Sequence, residues 1–266
     1  MGEIIVVTSG KGGVGKTTTT ANIGSGLATL GKKVVLIDMD IGLRNLDIIL
    51  GLERHIVYDL VQVVEGRCRM KQALVKDKRL DNLFLLAAPQ TRDKDAISPE
   101  QMQKLCSSLV DDFDYILIDC PAGIEQGFRN AIVAANKAIV VATPEVNSVR
   151  DADRVVGLLE SEDFEEIRLV LNRVRPDMVR RKEMLDMEAV TSVLSIDVLG
   201  IVPDDEHIIA AGNVGEPAIS DPSSPAGMAY ANIASRILDI NVPMLEIVER
   251  HPTFGEKLRN LFRKGR

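Results

Sequence analysis

An apolar strand-like run, a tight glycine-rich bend and a helical stretch follow one another without a gap over residues 4–30. Few folds accommodate that succession. The bend reads Ser9-Gly10-Lys11-Gly12-Gly13-Val14-Gly15-Lys16-Thr17. Its glycines let backbone N–H groups curl around an anion with no Cβ in the way. A helix starting at the end of the bend adds its dipole and unpaired donors. The stretch fits G-x-x-x-x-G-K-[ST], in which Lys16 reaches the β- and γ-phosphates and the Thr17 hydroxyl ligates magnesium. The expectation is a site for ATP and Mg2+.

Short apolar runs recur downstream. Strands are expected at 4–7, 34–37, 83–87, 115–118, 138–142, 167–171 and 198–202. Helical periodicity falls at 17–30, 100–110, 125–135, 149–161 and 226–238. This alternation implies right-handed crossovers and a single doubly wound, mostly parallel α/β sheet. Ligands of such sheets bind at the carboxyl ends of the strands. Tryptophan is absent and aromatics make up 3%, so the core must be built from Val, Ile, Leu and Ala, as in a sheet covered on both faces. The expected divisions are a phosphate-loop domain at 1–240, a linker at 241–252 opened by Asn241-Val242-Pro243, and a terminal amphipathic segment at 253–266.

The same glycines also fit G-x-G-x-x-G through Gly10, Gly12 and Gly15, and Asp38 stands 23 residues beyond Gly15, where a dinucleotide fold wants an acid for its ribose. Two features oppose a dehydrogenase. A dinucleotide site has no use for Lys16-Thr17 directly after the last glycine. A second acid, Asp119, ends the apolar run Tyr115-Ile116-Leu117-Ile118, where a phosphate-loop enzyme needs a magnesium-organising carboxylate. Asp38 and Asp40 end the second strand two residues apart, so both can lean to one side. One can hold a magnesium-bound water and the other can orient the attacking water.

The net charge of −7 argues against nonspecific nucleic-acid binding, which wants a basic surface. It is unevenly spread. Lys257, Arg259, Arg263, Lys264 and Arg266 against Glu256 give residues 253–266 a net +4 and leave −11 on the rest. Cys68, Cys106 and Cys120 show no C-x-x-C spacing, and the three histidines are scattered, so neither a disulfide framework nor a zinc site is expected. No apolar run approaches the roughly 18 residues of a membrane span, and no signal segment precedes the first strand. A cytoplasmic protein is expected.

Lys11 is the oddity. A lysine at the second position of the loop, in Lys-Gly-Gly-Val-Gly-Lys-Thr, resembles the deviant Walker A (MinD/ParA) P-loop ATPases. Three further stretches are similar to the septum-positioning branch of that family: Ile37-Asp38-Met39-Asp40-Ile41-Gly42-Leu43-Arg44-Asn45-Leu46-Asp47, Asp119-Cys120-Pro121-Ala122-Gly123-Ile124-Glu125, and the run from Pro144 to Arg154. The resemblance spans essentially the whole chain. It implies an ATPase that forms a homodimer with ATP, Lys11 crossing to the partner's phosphates. ATP would be bound by Gly10, Lys11, Gly12, Gly13, Val14, Gly15, Lys16, Thr17 and Thr18, with Gly123 sensing the γ-phosphate and Asn172 hydrogen-bonding adenine. It also implies that Lys11, Lys16 and Asp40 serve hydrolysis, that Thr17, Asp38 and Asp119 hold magnesium, and that Glu145 and Asp151 lie near the dimer and partner surface. A MinC-like inhibitor and a MinE-like activator are implied as partners.

Phe254, Leu258, Leu261 and Phe262 fall at i, i+4, i+7 and i+8 on one helix face, with Lys257 and Arg263 beside them. Periodicity alone favours a last helix packed on its own domain. The Pro-marked linker, basic density and aromatics instead describe an interfacial helix for anionic lipid, and the family resemblance implies such a targeting helix on the cytoplasmic face of the membrane. Two rivals stay open. A flagellar-number regulator of the same subfamily would carry an extra N-terminal partner segment. A Par-type DNA-partition ATPase would use a basic surface, for which Arg173, Arg175, Arg180, Arg181 and Lys182 are the weak candidates.

Overall fold

Side-chain alternation along the strands sets the architecture. In the run Val34-Val35-Leu36-Ile37, Val35 and Ile37 join one apolar cluster while Val34 and Leu36 join another on the opposite face. Every residue of that run is buried, which requires layers on both sides of the sheet. The computed structural model describes residues 2–90, 92 and 96–245. Among these, one sheet holds β1 (Glu3–Thr8), β2 (Val34–Asp38), β3 (Leu74–Lys76), β4 (Leu83–Leu86), β5 (Tyr115–Asp119), β6 (Lys137–Ala142), β7 (Glu166–Val174) and β8 (Asp197–Pro203). The spatial order is β3-β4-β2-β5-β1-β6-β7-β8. β3 pairs antiparallel with β4, and the other pairings are parallel.

The helices are α1 (Lys16–Thr29), α2 (Leu46–Leu50), α3 (Leu60–Val64), α4 (Met70–Ala73), α5 (Pro99–Ser107), α6 (Gln126–Ile132), α7 (Val146–Ser161), α8 (Pro176–Arg180), α9 (Met187–Leu194), α10 (Glu206–Asn213) and α11 (Pro225–Ile237). The seven expected strands and five expected helices are all present in the mostly parallel α/β sheet that was anticipated. β3 and the helices α2, α3, α4, α8, α9 and α10 were not anticipated. At eight residues or fewer they are too short to develop a readable period.

Helix α1 is buried along most of its length rather than on one stripe. It lies between the sheet and α11, and small residues make that possible. A Cβ on Gly24 would meet Leu36 Cδ2 at 2.4 Å, and one on Gly26 would meet the Ala234 Cβ at 2.7 Å. Two interior glycines cost a helix about 1 kcal/mol each relative to alanine, and here they set the close approach. The parallel order reverses around β1, which is flanked by β5 and β6. The bend after β1 therefore opens at the switch point where ligand clefts form.

Residues 241–245, the opening of the expected linker, lie against the body, where Leu245 packs beside the second apolar cluster. Residues 246–266 lie outside the described residues, and with them Phe254, Lys257, Leu258, Leu261, Phe262 and Arg263. Among the described residues no helix is long and apolar enough to cross a membrane.

Candidate nucleotide-binding site

Helix α1 begins without a side-chain cap. Its N-cap position is Gly15, in left-handed backbone at φ 96°, and no acid occupies the first turn. Capping side chains normally satisfy the first free N–H groups of a helix. Leaving them open at the end of a glycine loop makes an anion seat. Gly13, at φ 81°, supplies a second left-handed turn within the bend. Gly10 is required for a different reason: a Cβ there would lie 2.2 Å from the Asp151 backbone. Asp151 thus braces the loop through its main chain, while its carboxylate lies 4.0 Å from Arg154.

Lys16 points inward. Its Nζ donates to Asp119 Oδ1 at 2.9 Å, with 7% and 0% of the two side chains exposed. Burial works against its charge, but the adjacent Asp119 outweighs that and holds the ammonium above its usual range. Thr20, one turn further on, also donates to Asp119 Oδ1, at 3.2 Å. Asp119 Oδ2 is buried with no hydrogen-bond partner among the described residues, as is the Thr8 hydroxyl at the end of β1. A buried carboxylate oxygen left unpaired is costly. The donor set fits a hard cation, which takes carboxylate and hydroxyl oxygens.

Asp38 is in register with Asp119 on the neighbouring strand. It is fully buried and accepts the Asp40 N–H at 2.9 Å and the Leu46 N–H at 3.3 Å. Burial, then the nearby Asp119 charge, push its pKa up to about 7 despite those two donors. Asp40 sits half-buried at the mouth, where its charge is felt by Asp38 and Lys16. Beyond Asp40 the loop 41–45 leads into α2, with Arg44 in left-handed backbone at φ 45° and 2.8 Å from the buried Asp47 carboxylate. The Gly123 N–H donates to the Ser9 carbonyl at 3.0 Å.

Asn172 ends the straight part of β7 beneath the loop. Its Nδ2 donates to the Val14 carbonyl at 2.8 Å, and its buried Oδ1 has no partner among the described residues. Gly15 is needed here too, since a Cβ would meet that Nδ2 at 2.3 Å. Thr18 and Asn172 open onto a cleft of about 1400 Å³ whose far walls come from α8, α9 and the start of α10. Asp205 holds α10 in place, accepting from the His207 N–H and, through its other oxygen, from Ser224 and the Ala226 N–H. Thr20, the Leu46 N–H and this cleft wall were missed from sequence. Thr20 had one available signal: it falls one helical turn after Lys16, on the same face.

Lys11 is not drawn in. Its Nζ stands 3.8 Å from Glu145, the N-cap residue of α7, with 46% and 59% of the two side chains exposed. The loop thus has two lysines with opposite environments. Burial pushes the Cys106 and Cys120 thiols up to about 12, and no His/Cys/Asp/Glu cluster among the described residues suits a metal by itself.

The family profile of the CobQ/CobB/MinD/ParA nucleotide binding domain matches residues 5–218. The septum site-determining protein MinD of Bacillus subtilis (strain 168) is 56% identical over 264 residues, 98% of this chain and 98% of the relative. The MinC:MinD cell division protein complex of Aquifex aeolicus matches with TM-score 0.86 and 48% identity, over 92% of this chain and 98% of that one. Septum site-determining MinD of Pyrococcus horikoshii OT3, complexed with Mg-ADP, matches with TM-score 0.80 and 30% identity, over 89% and 96%.

Proposed function

Because this chain belongs to the CobQ/CobB/MinD/ParA nucleotide-binding family, we propose that it is an ATPase that cycles on and off the membrane and positions the division septum. In this reading ATP joins two copies, the dimer stays on anionic lipid and recruits a MinC-like inhibitor, and a MinE-like activator triggers hydrolysis and release. The relatives named for septum positioning, similar over almost their full length, support it.

The observation that carries the reading is the contrast between Lys16 and Lys11. Lys16 is committed to the loop's own interior. Lys11 stands at the rim in a loose, half-exposed pair, a type worth about 1 kcal/mol or less, so it can leave Glu145 for a phosphate on a second copy. Hydrolysis needs a water to attack the γ-phosphorus as the bond to the β–γ bridging oxygen breaks, yielding ADP and phosphate. Its loose transition state leaves the protein mainly positioning and charge stabilisation. Asp40 orients the water. Lys16 and the open α1 N-terminus balance the growing negative charge. Magnesium, held by Thr17 and through water by Asp38 and Asp119, would supply further charge neutralisation. Gly123 meets the γ-phosphate, and the unpartnered Asn172 Oδ1 accepts from the adenine amine.

Residues 253–266 supply the lipid contact through Phe254, Leu258, Leu261 and Phe262, with Lys257 and Arg263 on anionic headgroups. One such short segment binds marginally. Two on one dimer make the second insertion intramolecular and raise avidity by about 10²–10⁴. Sedimentation with anionic vesicles is expected to show binding with ATP, little with ADP, and none after deletion of residues 253–266 or with Phe262→Asp. Equal binding with either nucleotide would overturn the switch.

A further inference from the structure

Arg236 is a cation spent entirely on backbone. It lies in the last turn of α11, where its Nη1 donates to the Leu199 carbonyl on β8 at 2.9 Å. Its Nε donates to the Val242 carbonyl at 3.2 Å and its Nη2 to the Pro243 carbonyl at 2.6 Å. No carboxylate among the described residues pairs with it, and burial holds the guanidinium below its usual range. Partly burying an unpaired cation is unfavourable unless its donors are used in full, and the planar guanidinium fork is suited to spanning several acceptors at once.

The surroundings are shaped to deliver it. A Cβ on Gly200 would meet Ile233 Cγ1 at 2.3 Å and Arg236 Nη1 at 3.5 Å, so only glycine lets α11 sit this low on β8. After α11 the chain reverses at Asp239, in left-handed backbone at φ 56°, with the Ile240 N–H closing onto the Ser235 carbonyl at 3.0 Å. Residues 241–245 then run back past Arg236, ending with Leu245 packed beside the second apolar cluster.

We propose that Arg236 is the clamp that holds residues 241–245 against the domain after α11 ends, and so sets how strongly paired C-terminal segments hold a membrane. The second half of this statement rests on the membrane reading above. Without the clamp, residues 238–245 are released from the body and lengthen the reach of the lipid-binding segment by eight residues. A longer reach lowers the effective concentration of the second segment, about threefold for a doubling of the span.

The test compares full-length protein with Arg236→Ala and Arg236→Lys, the latter keeping charge but not the three-way fork. Hydrogen–deuterium exchange without vesicles is expected to quicken at 241–245 in both variants, with α1 and β5 unchanged and ATP affinity retained. With Mg-ATP and vesicles of phosphatidylglycerol and phosphatidylcholine, half-saturation is expected to need roughly threefold more lipid. Eight Gly/Ser residues inserted after Leu245 in the parent chain are expected to reproduce the lipid effect without changing exchange at 241–245, which a merely structural role for Arg236 would not do. Unchanged exchange in Arg236→Ala overturns the clamp, and faster exchange with unaltered lipid affinity overturns its consequence. A parent chain that never sediments with these vesicles under ATP sinks the membrane reading itself, while exchange still decides whether Arg236 holds the strap.

Discussion

The two ends of the sheet treat their charges in opposite ways. At the base, Lys137 bonds Glu3 at 2.8 Å and lies 3.5 Å from Glu166, which also meets Arg168 at 2.7 Å. All four side chains are partly exposed, and every charge has a neighbour of opposite sign. At the carboxyl ends, Asp38 and Asp119 are buried side by side with a single ammonium near them, and one Asp119 oxygen is unmatched. Water and flexible partners make the base inexpensive to build. The opposite end holds like charges together in a place where doing so is unfavourable, an arrangement that clusters at functional sites. That contrast marks the site without reference to any relative.

The strongest attempt to break the contrast is Lys16→Ala. It leaves Asp119 buried without its cation, which is expected to destabilise the fold by about 3–5 kcal/mol in urea melts and to cut ATP turnover by roughly 10²–10³. A variant as stable as the parent would mean the carboxyl end is not under electrostatic stress. Asp40→Ala should slow hydrolysis by about 10²–10⁴ while nucleotide affinity is kept; equal losses in both would reassign it to binding.

The pH dependence sharpens the same point. Asp38 titrates at about 7 in the fold against 3.8 ordinarily, so the folded state grips the proton more tightly. Its contribution is complete below about pH 4 and is lost as pH rises through 7. In magnesium-free buffer the melting temperature of Asp38→Asn should gain on the parent steadily across that window; a constant gap would show that Asp38 is not raised. The smallest effect is expected at the base. Lys137→Ala should cost less than about 1 kcal/mol despite two ion pairs and leave turnover unaltered, whereas a larger loss would erase the distinction between the ends.

What could be read from sequence follows from the length scale of each feature. The loop and the acids Asp38 and Asp119 were legible because strand, bend and helix are contiguous and each acid ends an apolar run. The sheet was legible because each strand alternates or is wholly apolar over four or more residues. β3, with three residues, carries no period. The cleft walls were hidden because α8, α9 and α10 meet Thr18 and Asn172 only through the topology of β7 and β8. Leu46 holds Asp38 through a main-chain N–H, which no side-chain pattern encodes. The Arg236 strap was hidden for the same reason, since its acceptors are carbonyls. Lys11 could be read only by resemblance, because an exposed lysine on a loop is otherwise ordinary.

The glycines inside α1 bear on where the phosphate seat lies. With Gly24 set against Leu36 and Gly26 against Ala234 and Ile219, the helix carrying Lys16 and Thr17 has no slack toward the sheet or toward α11. A side chain at either glycine would push the helix off one of its two neighbours and carry Lys16 and Thr17 with it, so the position of the phosphate seat is set two to three turns away from it.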